Sequence, residues 1–183
     1  STLISTISNA HPEVANYEFT TLIPNLGVVE VGEYSSFVMA DIPGIIGGAS
    51  SGRGLGINFL QHIERTKILL FVIDITNYRD IFEQYKILKG ELTKFSQKLC
   101  KKKFAIVLTK IDTIDYKELN NIVNKLVDNL DLKKTNENYF IQDLVLNKYN
   151  KGLPYFILPI SSIANQNTKK LKYLLYDLIK MDE

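Results

Sequence analysis

Three continuous apolar runs constrain the fold of this chain more than any other feature. They occupy residues 68–73, 104–108 and 155–158. Strands buried on both faces of a parallel sheet have this character, because helices cover both faces. Other segments carry apolar residues at three- and four-residue intervals, which predicts helices over residues 57–66, 80–99, 116–130 and 168–179. Strand alternating with helix indicates a doubly wound α/β domain.

Two further segments extend this outline. Residues 26–31 and 36–40 are rich in β-forming types and are joined by a short loop, so we expect an antiparallel hairpin. Residues 131–152 are polar and rich in Asn and Lys, but they enclose the apolar groups 139–141 and 144–146. We interpret this segment as an insertion before the last strand that forms a small extra helix.

Composition places the chain among globular proteins. With 183 residues, 45% of them apolar and 23% charged, it is long enough for one domain with a sizeable core. The formal charge of +2 is too small to argue for nucleic-acid binding. The lone Cys100 cannot form an internal disulfide, which fits a reducing cytoplasm. The longest apolar run is far short of the roughly 20 residues that span a bilayer, so we expect no membrane segment.

The first motif with chemical content is Asp41, Ile42, Pro43 and Gly44, directly after the second hairpin strand. In open α/β sheets a ligand lies at the carboxyl ends of the strands, so Asp41 is placed for a water-mediated contact to Mg²⁺. Gly44 would let the backbone approach a γ-phosphate. The alternative is a simple turn, since Asp, Pro and Gly all favour turns. The glycine-rich residues 45–56 are costly to fix in one shape, which predicts an element that switches.

A second motif, Thr109, Lys110, Ile111 and Asp112, follows the buried run 104–108. A carboxylate at this place can accept hydrogen bonds from both the ring N–H and the exocyclic amine of guanine, whereas adenine offers no such pair of donors. The stem of Lys110 can lie over the base plane. A salt bridge at the strand end is the alternative interpretation.

Two more segments complete an ordered set. Phe19, Thr20 and Thr21 supply hydroxyls upstream of Asp41. After the last strand come Ser161, Ser162 and Ile163, where a backbone N–H could meet the carbonyl oxygen of guanine. A mobile hydroxyl, a carboxylate that can serve Mg²⁺ and a carboxylate that can recognise the base, in this order along the chain, indicate a guanine-nucleotide switch.

The same segments carry a family resemblance. Residues 12–29 are very similar to the switch I region of the Obg GTPases, and residues 37–44, 54–56 and 59–66 continue the likeness. It covers most of residues 1–114, weakens across residues 115–152 and returns near residue 158. The resemblance implies a Rossmann-like P-loop NTPase fold, the GTPase domain: a mostly parallel sheet with one antiparallel edge strand and helices on both faces.

The resemblance also implies a set of site residues. Ser1 and Thr2 would complete a phosphate loop, with the Ser1 hydroxyl a direct Mg²⁺ ligand. Thr21 would be the switch I ligand that joins when GTP is bound, with Thr20 as the rival one position away. Asp41 completes the metal site, and we expect Thr21 and Gly44 to act in catalysis. The remaining expected nucleotide contacts are Phe19, Leu22, Ile23, Ile42, Pro43, the motif from Thr109 to Asp112, and Ser161, Ser162 and Ile163.

Two residues affect the expected chemistry. Thr109 stands where the family usually has Asn, so we expect weaker nucleotide affinity while Asp112 preserves the choice of guanine. Ile45 stands where Ras-like GTPases place a catalytic glutamine, a feature shared with the Obg family. Because isoleucine cannot orient water, intrinsic hydrolysis should be slow. A nucleotide-gated ribosome-binding module with negligible turnover is the alternative.

As a whole, the resemblance implies a Mg²⁺-dependent GTPase of the cytoplasm that hydrolyses GTP slowly to GDP and phosphate. The implied partners are GTP, GDP, guanosine tetraphosphate and the large ribosomal subunit with its rRNA and proteins, in subunit assembly and in growth or stress control. We expect a monomer. In this fold the strand leading into the phosphate loop is central in the sheet, so we expect residues 1–183 to form a GTPase domain that is incomplete at its N-terminus.

Overall fold

The computed structural model of the chain describes residues 2–8, 13–14, 25–41, 64–133, 137–142, 150 and 152–181. The strands in these ranges are β1 (Glu13–Val14), β2 (Asn25–Glu30), β3 (Ser36–Asp41), β4 (Ile68–Asp74), β5 (Lys103–Thr109), β6 (Phe140–Ile141) and β7 (Phe156–Pro159). The helices are α1 (Thr2–Ile7), α2 (Ile81–Phe95), α3 (Tyr116–Asn129) and α4 (Thr168–Lys180), with 3₁₀ turns at Leu99–Lys101 and Ile111–Thr113.

Four strands form the sheet that carries most of the core, in the order β4, β5, β7, β6. Strand β5 pairs parallel with both β4 and β7, and its register with β4 places Asp74 opposite Thr109. Strand β6 pairs antiparallel with β7 at the edge. Every residue of β5 except Thr109 is buried, and burial on both faces accounts for the continuous apolar run at residues 104–108. The predicted mostly parallel sheet with one antiparallel edge strand is confirmed.

The predicted hairpin is present as the antiparallel pair β2 and β3, with Val28 opposite Val38. Strand β1 pairs with the other edge of β2, so these strands form a three-stranded sheet of their own. Gly32 adopts a φ of 79° in the connecting turn, a conformation that glycine reaches without strain. Val29 is buried while Val28 and Glu30 are exposed, the alternation of a sheet packed on one face.

Helices cover both faces of the four-stranded sheet. On one face, Leu92 of α2 and Val123 of α3 share a core with Ile106 of β5. On the other face, Ile7 of α1 shares a second core with Val107 of β5, together with residues of α4. Adjacent residues of β5 enter different cores because side chains alternate across a strand. The helices predicted at residues 116–130 and 168–179 are observed, and the one predicted at residues 80–99 is observed but ends at Phe95, before extended backbone at Ser96. The helix predicted at residues 57–66 lies almost entirely outside the described residues.

Helix α1 packs closely on strand β2. A Cβ added at Gly27 would lie 2.8 Å from Cγ2 of Ile4 and 2.9 Å from Cβ of Ser8, distances at which something would have to move. Glycine at this position therefore sets how near α1 approaches the sheet.

A mostly apolar cavity of about 600 Å³ lies between strands β3 and β4. Its walls include Met39 from β3, Leu70 from β4, Leu3 from α1 and Leu175 from α4. The edges of the two sheets thus face the same cavity.

The segment predicted as an insertion contains strand β6, so the prediction of a small helix is wrong for residues 139–141. Residues 144–146 lie outside the described residues. Gln142 organises the return of the chain to β7: its Nε2 donates to the carbonyl oxygen of Pro154 at 3.0 Å, and its Oε1 accepts the Asn150 N–H at 2.9 Å. Within the described ranges, the helices are too short or too polar to cross a bilayer.

Candidate functional site

The carboxyl ends of β4, β5 and β7 bring five polar side chains to one edge of the sheet. Asp74 ends β4, Thr109 ends β5, and Lys110 and Asp112 lie just beyond it. Ser161 follows β7. Since ligands of open α/β sheets bind at this edge, these residues define the candidate site.

Thr109 joins the ends of two neighbouring strands. Its hydroxyl donates to the carbonyl oxygen of Ile73 at 3.2 Å, and its own carbonyl oxygen accepts the N–H of Ile75 at 3.4 Å. The hydroxyl that replaces the amide usual in this motif therefore holds β5 against β4.

Lys110 has a constrained backbone and an ion-pair partner. Its φ of 65° and ψ of 33° place it in the left-handed region, and its Nζ lies 2.6 Å from Oδ2 of Asp74. The Nζ also lies 3.5 Å from Oγ1 of Thr76. The alternative interpretation of this motif, a salt bridge at the strand end, is thus realised at Lys110, while Asp112 has a different partner.

Asp74 is held in its ionised form. Burial of the carboxyl acts to raise the pKa of Asp74, but hydrogen bonds from Lys110 and Thr76 outweigh burial and hold the pKa below its usual value. The N–H and the hydroxyl of Thr76 both donate to Oδ1 of Asp74, at 2.8 and 2.7 Å. The carboxylate therefore faces Lys110 with its other oxygen.

Asp112 and Ser161 form the second contact of the site. Ser161 is completely buried, and its hydroxyl donates to Oδ1 of Asp112 at 2.5 Å. The same hydroxyl oxygen accepts the N–H of Ala164 at 3.1 Å, which fixes its orientation. Asp112 itself is exposed. Asp112 therefore presents an exposed carboxylate whose orientation is fixed by a hydrogen bond from the buried Ser161.

The loop from Ser161 to Gln166 presents its backbone at the same place. Ser161 and Gln166 exchange two backbone hydrogen bonds, at 3.1 and 3.0 Å, so the N–H of Ser161 is already used. Ser162 is partly buried, and Ile163 is 81% exposed. A contact from this loop to a guanine carbonyl oxygen would therefore come from a residue after Ser161.

The expected magnesium site is described in part. Asp41 ends β3 with a partly buried side chain, while Ser1 and Thr21 lie outside the described residues. One carboxylate and two hydroxyls are oxygen donors, which Mg²⁺ prefers, so the residue types fit this ion. Within the described ranges, the side chains of His, Cys, Asp and Glu form no group of three or more that could hold a metal ion.

Most of the predicted contacts near the N-terminus and after β3 fall outside the described residues, but Thr2 does not. Thr2 is described: it begins α1, is exposed, and its carbonyl oxygen accepts a hydrogen bond from the Thr6 hydroxyl at 2.8 Å. Those outside the described part are Ser1, Phe19, Thr20, Thr21, Leu22, Ile23, Ile42, Pro43 and Gly44. Their roles stay predictions.

Sequence reasoning did not single out Asp74 or Thr76. The available signal was the one that drew attention to Asp41, a carboxylate directly after an apolar strand. Only the pairing of β4 with β5 reveals that Asp74 faces Lys110.

Solved structures define the class of the fold. The G domain of the T. maritima FeoB iron transporter matches 97% of this chain and 89% of its own, with a TM-score of 0.58 and 18% sequence identity. Translation elongation factor SelB from Methanococcus maripaludis, solved with the GTP analogue GppNHp, matches 98% of this chain and 30% of its own, with a TM-score of 0.56 and 15% identity. The fold is that of a GTPase domain.

Sequence comparison identifies the family. Residues 1–110 match the family model described as 50S ribosome-binding GTPase. The chain is 51% identical to GTPase Obg of Sulfurimonas denitrificans over 98% of its length and 49% identical to GTPase Obg of Nautilia profundicola over 100% of its length. It spans about half the length of these curated relatives, 52% and 50% respectively. The chain belongs to the Obg family of GTPases.

Proposed function

We propose that this protein binds GTP and GDP, with guanine read by Asp112. The observation that carries the proposal is the contact between Ser161 and Asp112 at the carboxyl ends of β5 and β7. A carboxylate oxygen has two acceptor sites, so Oδ1 can accept from Ser161 and still accept from the base. The two oxygens of Asp112 then match the adjacent N–H donors of guanine.

The proposed phosphate end of the site uses residues that the family resemblance assigns. Ser1 and Thr21 would hold Mg²⁺ through their hydroxyls and Asp41 through a water molecule. Mg²⁺ bound there would neutralise negative charge on the phosphates. Gly44 would let the backbone approach the γ-phosphate. The position of Asp41 at the end of β3 supports this assignment.

The cavity between β3 and β4 supports the domain organisation that we propose, a GTPase domain with a phosphate-loop strand ahead of Ser1. Most of the residues that line it are apolar, and both strands contribute to the lining. An extended apolar segment placed there would give each edge a partner for its backbone groups. Residues 131–152 are proposed as an insertion whose strand β6 covers the outer edge of β7.

Hydrolysis is proposed to be slow. Water attacks the γ-phosphorus, and a group that orients this water speeds the reaction. The sequence has Ile45 where a glutamine would serve, and isoleucine has no polar atom for the task. The same residue favours the second candidate, a module whose nucleotide state gates ribosome binding with negligible turnover.

The cellular role is proposed from the family. The matching family model is described as a ribosome-binding GTPase, which supports the large ribosomal subunit as the partner and subunit assembly, with growth or stress control, as the process. Guanosine tetraphosphate shares the guanine that Asp112 would read and is a further proposed ligand. We propose that the protein acts as a monomer in the cytoplasm, where a single cysteine such as Cys100 stays reduced.

Nucleotide titration tests the binding proposal. The protein used should carry the family's phosphate loop ahead of Ser1, and a fluorescent GDP analogue should be displaced by GTP and GDP but not by ATP. Asp112→Ala should abolish that preference, whereas Asp177→Asn, at an exposed carboxylate on α4, should leave it unchanged. Equal displacement by ATP would overturn the guanine assignment.

Phosphate release separates the two candidate functions. Measured over hours with saturating GTP and Mg²⁺, slow release that depends on Thr21 supports the enzyme. Tight GTP binding without release above the background supports the gated module.

A further inference from the structure

The turn after β4 is built around the carboxylate of Asp74. Thr76 donates its N–H and its hydroxyl to Oδ1, at 2.8 and 2.7 Å. The side-chain amide of Gln84, from the first turns of α2, donates to the backbone carbonyl oxygen of Asp74 at 3.1 Å. These three bonds fix both the backbone and the side chain of Asp74. The oxygen Oδ2 is thereby directed at Lys110.

Lys110 is the residue that this arrangement holds. Its left-handed backbone directs the chain away from β5, and its Nζ ends 2.6 Å from Oδ2 of Asp74. A lysine side chain has four rotatable bonds and loses much rotamer freedom when a ligand orders it. Half of the Lys110 side chain, 55%, is exposed, so packing alone does not order it. The ion pair is the shorter of the two contacts that restrict the Lys110 side chain before a ligand arrives, the other being to Oγ1 of Thr76 at 3.5 Å.

We propose that Asp74 is a positioning residue for nucleotide binding, which holds the stem of Lys110 across the ends of β4 and β5 where the guanine base would lie against it. The inference rests on the proposed guanine site. Asp74 acts through Lys110 and does not touch the base. Because the lysine is ordered in advance, less entropy is lost when the nucleotide binds.

A double-mutant cycle tests this role. The dissociation constant for GDP is measured in the protein with its phosphate loop and in the variants Asp74→Asn, Lys110→Ala and the two combined. We expect Asp74→Asn to weaken GDP binding about threefold to fivefold, the effect of losing a partly exposed ion pair. In the Lys110→Ala background the same change should have less than about a twofold effect, because its target is gone. Asp74→Glu, which keeps the charge, should restore part of the affinity.

Two further measurements separate positioning from general damage. The ratio of GDP to inosine diphosphate affinity should stay unchanged in Asp74→Asn, because inosine lacks only the amine that Asp112 reads. The matched control is Asp80→Asn, since Asp80 forms an ion pair of the same length, 2.6 Å, with Lys125 of α3. Asparagine there keeps the cap of α2, and GDP affinity should not change.

The outcomes are distinct. Weakening of equal size in both Lys110 backgrounds would overturn the inference and make Asp74 a structural residue of the strand end. Unchanged or tighter GDP binding by Asp74→Asn would overturn it as well. If the unsubstituted protein shows no preference for guanine nucleotides, the proposed function is overturned, and the inference with it.

Discussion

The hydroxyl of Ser161 is the most informative single group to remove. In the free protein Asp112 is exposed, so water can replace the lost hydrogen bond at little cost. With a base bound over the carboxylate, water is excluded and the bond from Ser161 cannot be replaced. A hydrogen bond to a charged group contributes about 1.5–3 kcal/mol. At 1.4 kcal/mol for each tenfold change in affinity, Ser161→Ala should weaken GDP binding by about tenfold to hundredfold.

The assay is titration of a fluorescent GDP analogue into the protein with its phosphate loop, beside thermal unfolding of the same samples. Ser8→Ala is the matched control, because Ser8 is also a buried serine, with its hydroxyl 2.7 Å from the carbonyl oxygen of Ile4. The control should lose some stability and no nucleotide affinity. A change of less than about twofold in Ser161→Ala, in a protein that still unfolds cooperatively, would refute the idea that Ser161 holds Asp112 for the base.

Three other predictions follow from the described residues. Asp112→Asn places an amide donor where guanine also has a donor, so preference should move from GDP to xanthosine diphosphate in competition titrations; retained preference for GDP would contradict this. Gly27→Ala should lower the free energy of unfolding by about 1–3 kcal/mol in urea titrations, because its Cβ would lie 2.8 Å from Ile4; an unchanged midpoint would argue that α1 moves freely. Burial acts to raise the pKa of Asp74, but bonds from Lys110 and Thr76 lower it overall, so its contribution to stability is complete above the ordinary value of about 3.9. That contribution is lost as pH falls through the lowered pKa, and the difference in unfolding free energy between the protein and Asp74→Asn should shrink below about pH 4; a constant difference down to pH 2 would exclude this ion pair as its source.

Much of the fold could be predicted because a buried strand or helix has a characteristic pattern of apolar residues along its own sequence. Strand β5 is covered by helices on both faces, and its residues 104–108 are apolar without interruption. Helix α3 begins after Asp115, whose side chain accepts the N–H of Glu118 at 2.8 Å, as expected of a capping residue ahead of an apolar pattern. The sequence predicts a helix where strand β6 lies, because two residues are too few to show the periodicity of a strand. The edge of β7 gives them their conformation.

The candidate site, like the fold, could be predicted from the sequence only in part. The position of Asp112 just past a buried strand was visible in the order of residues, and so was its acceptor chemistry. Its partner was not, because Ser161 is 49 positions away and the sequence suggested only a backbone contact for that loop. The ion pair of Lys110 with Asp74 likewise depends on a register that neighbouring residues do not encode.

The sequence by itself determined the longer strands and helices, the family, and the residue types that reach the edge of the sheet. These properties depend on periodicity and local chemistry, which adjacent residues carry. The tertiary structure decided which side chains meet there, that Ser161 supports Asp112 and that Asp74 holds Lys110. Such contacts join separate strand ends, so they exist only once the strands have paired and the loops have closed over them.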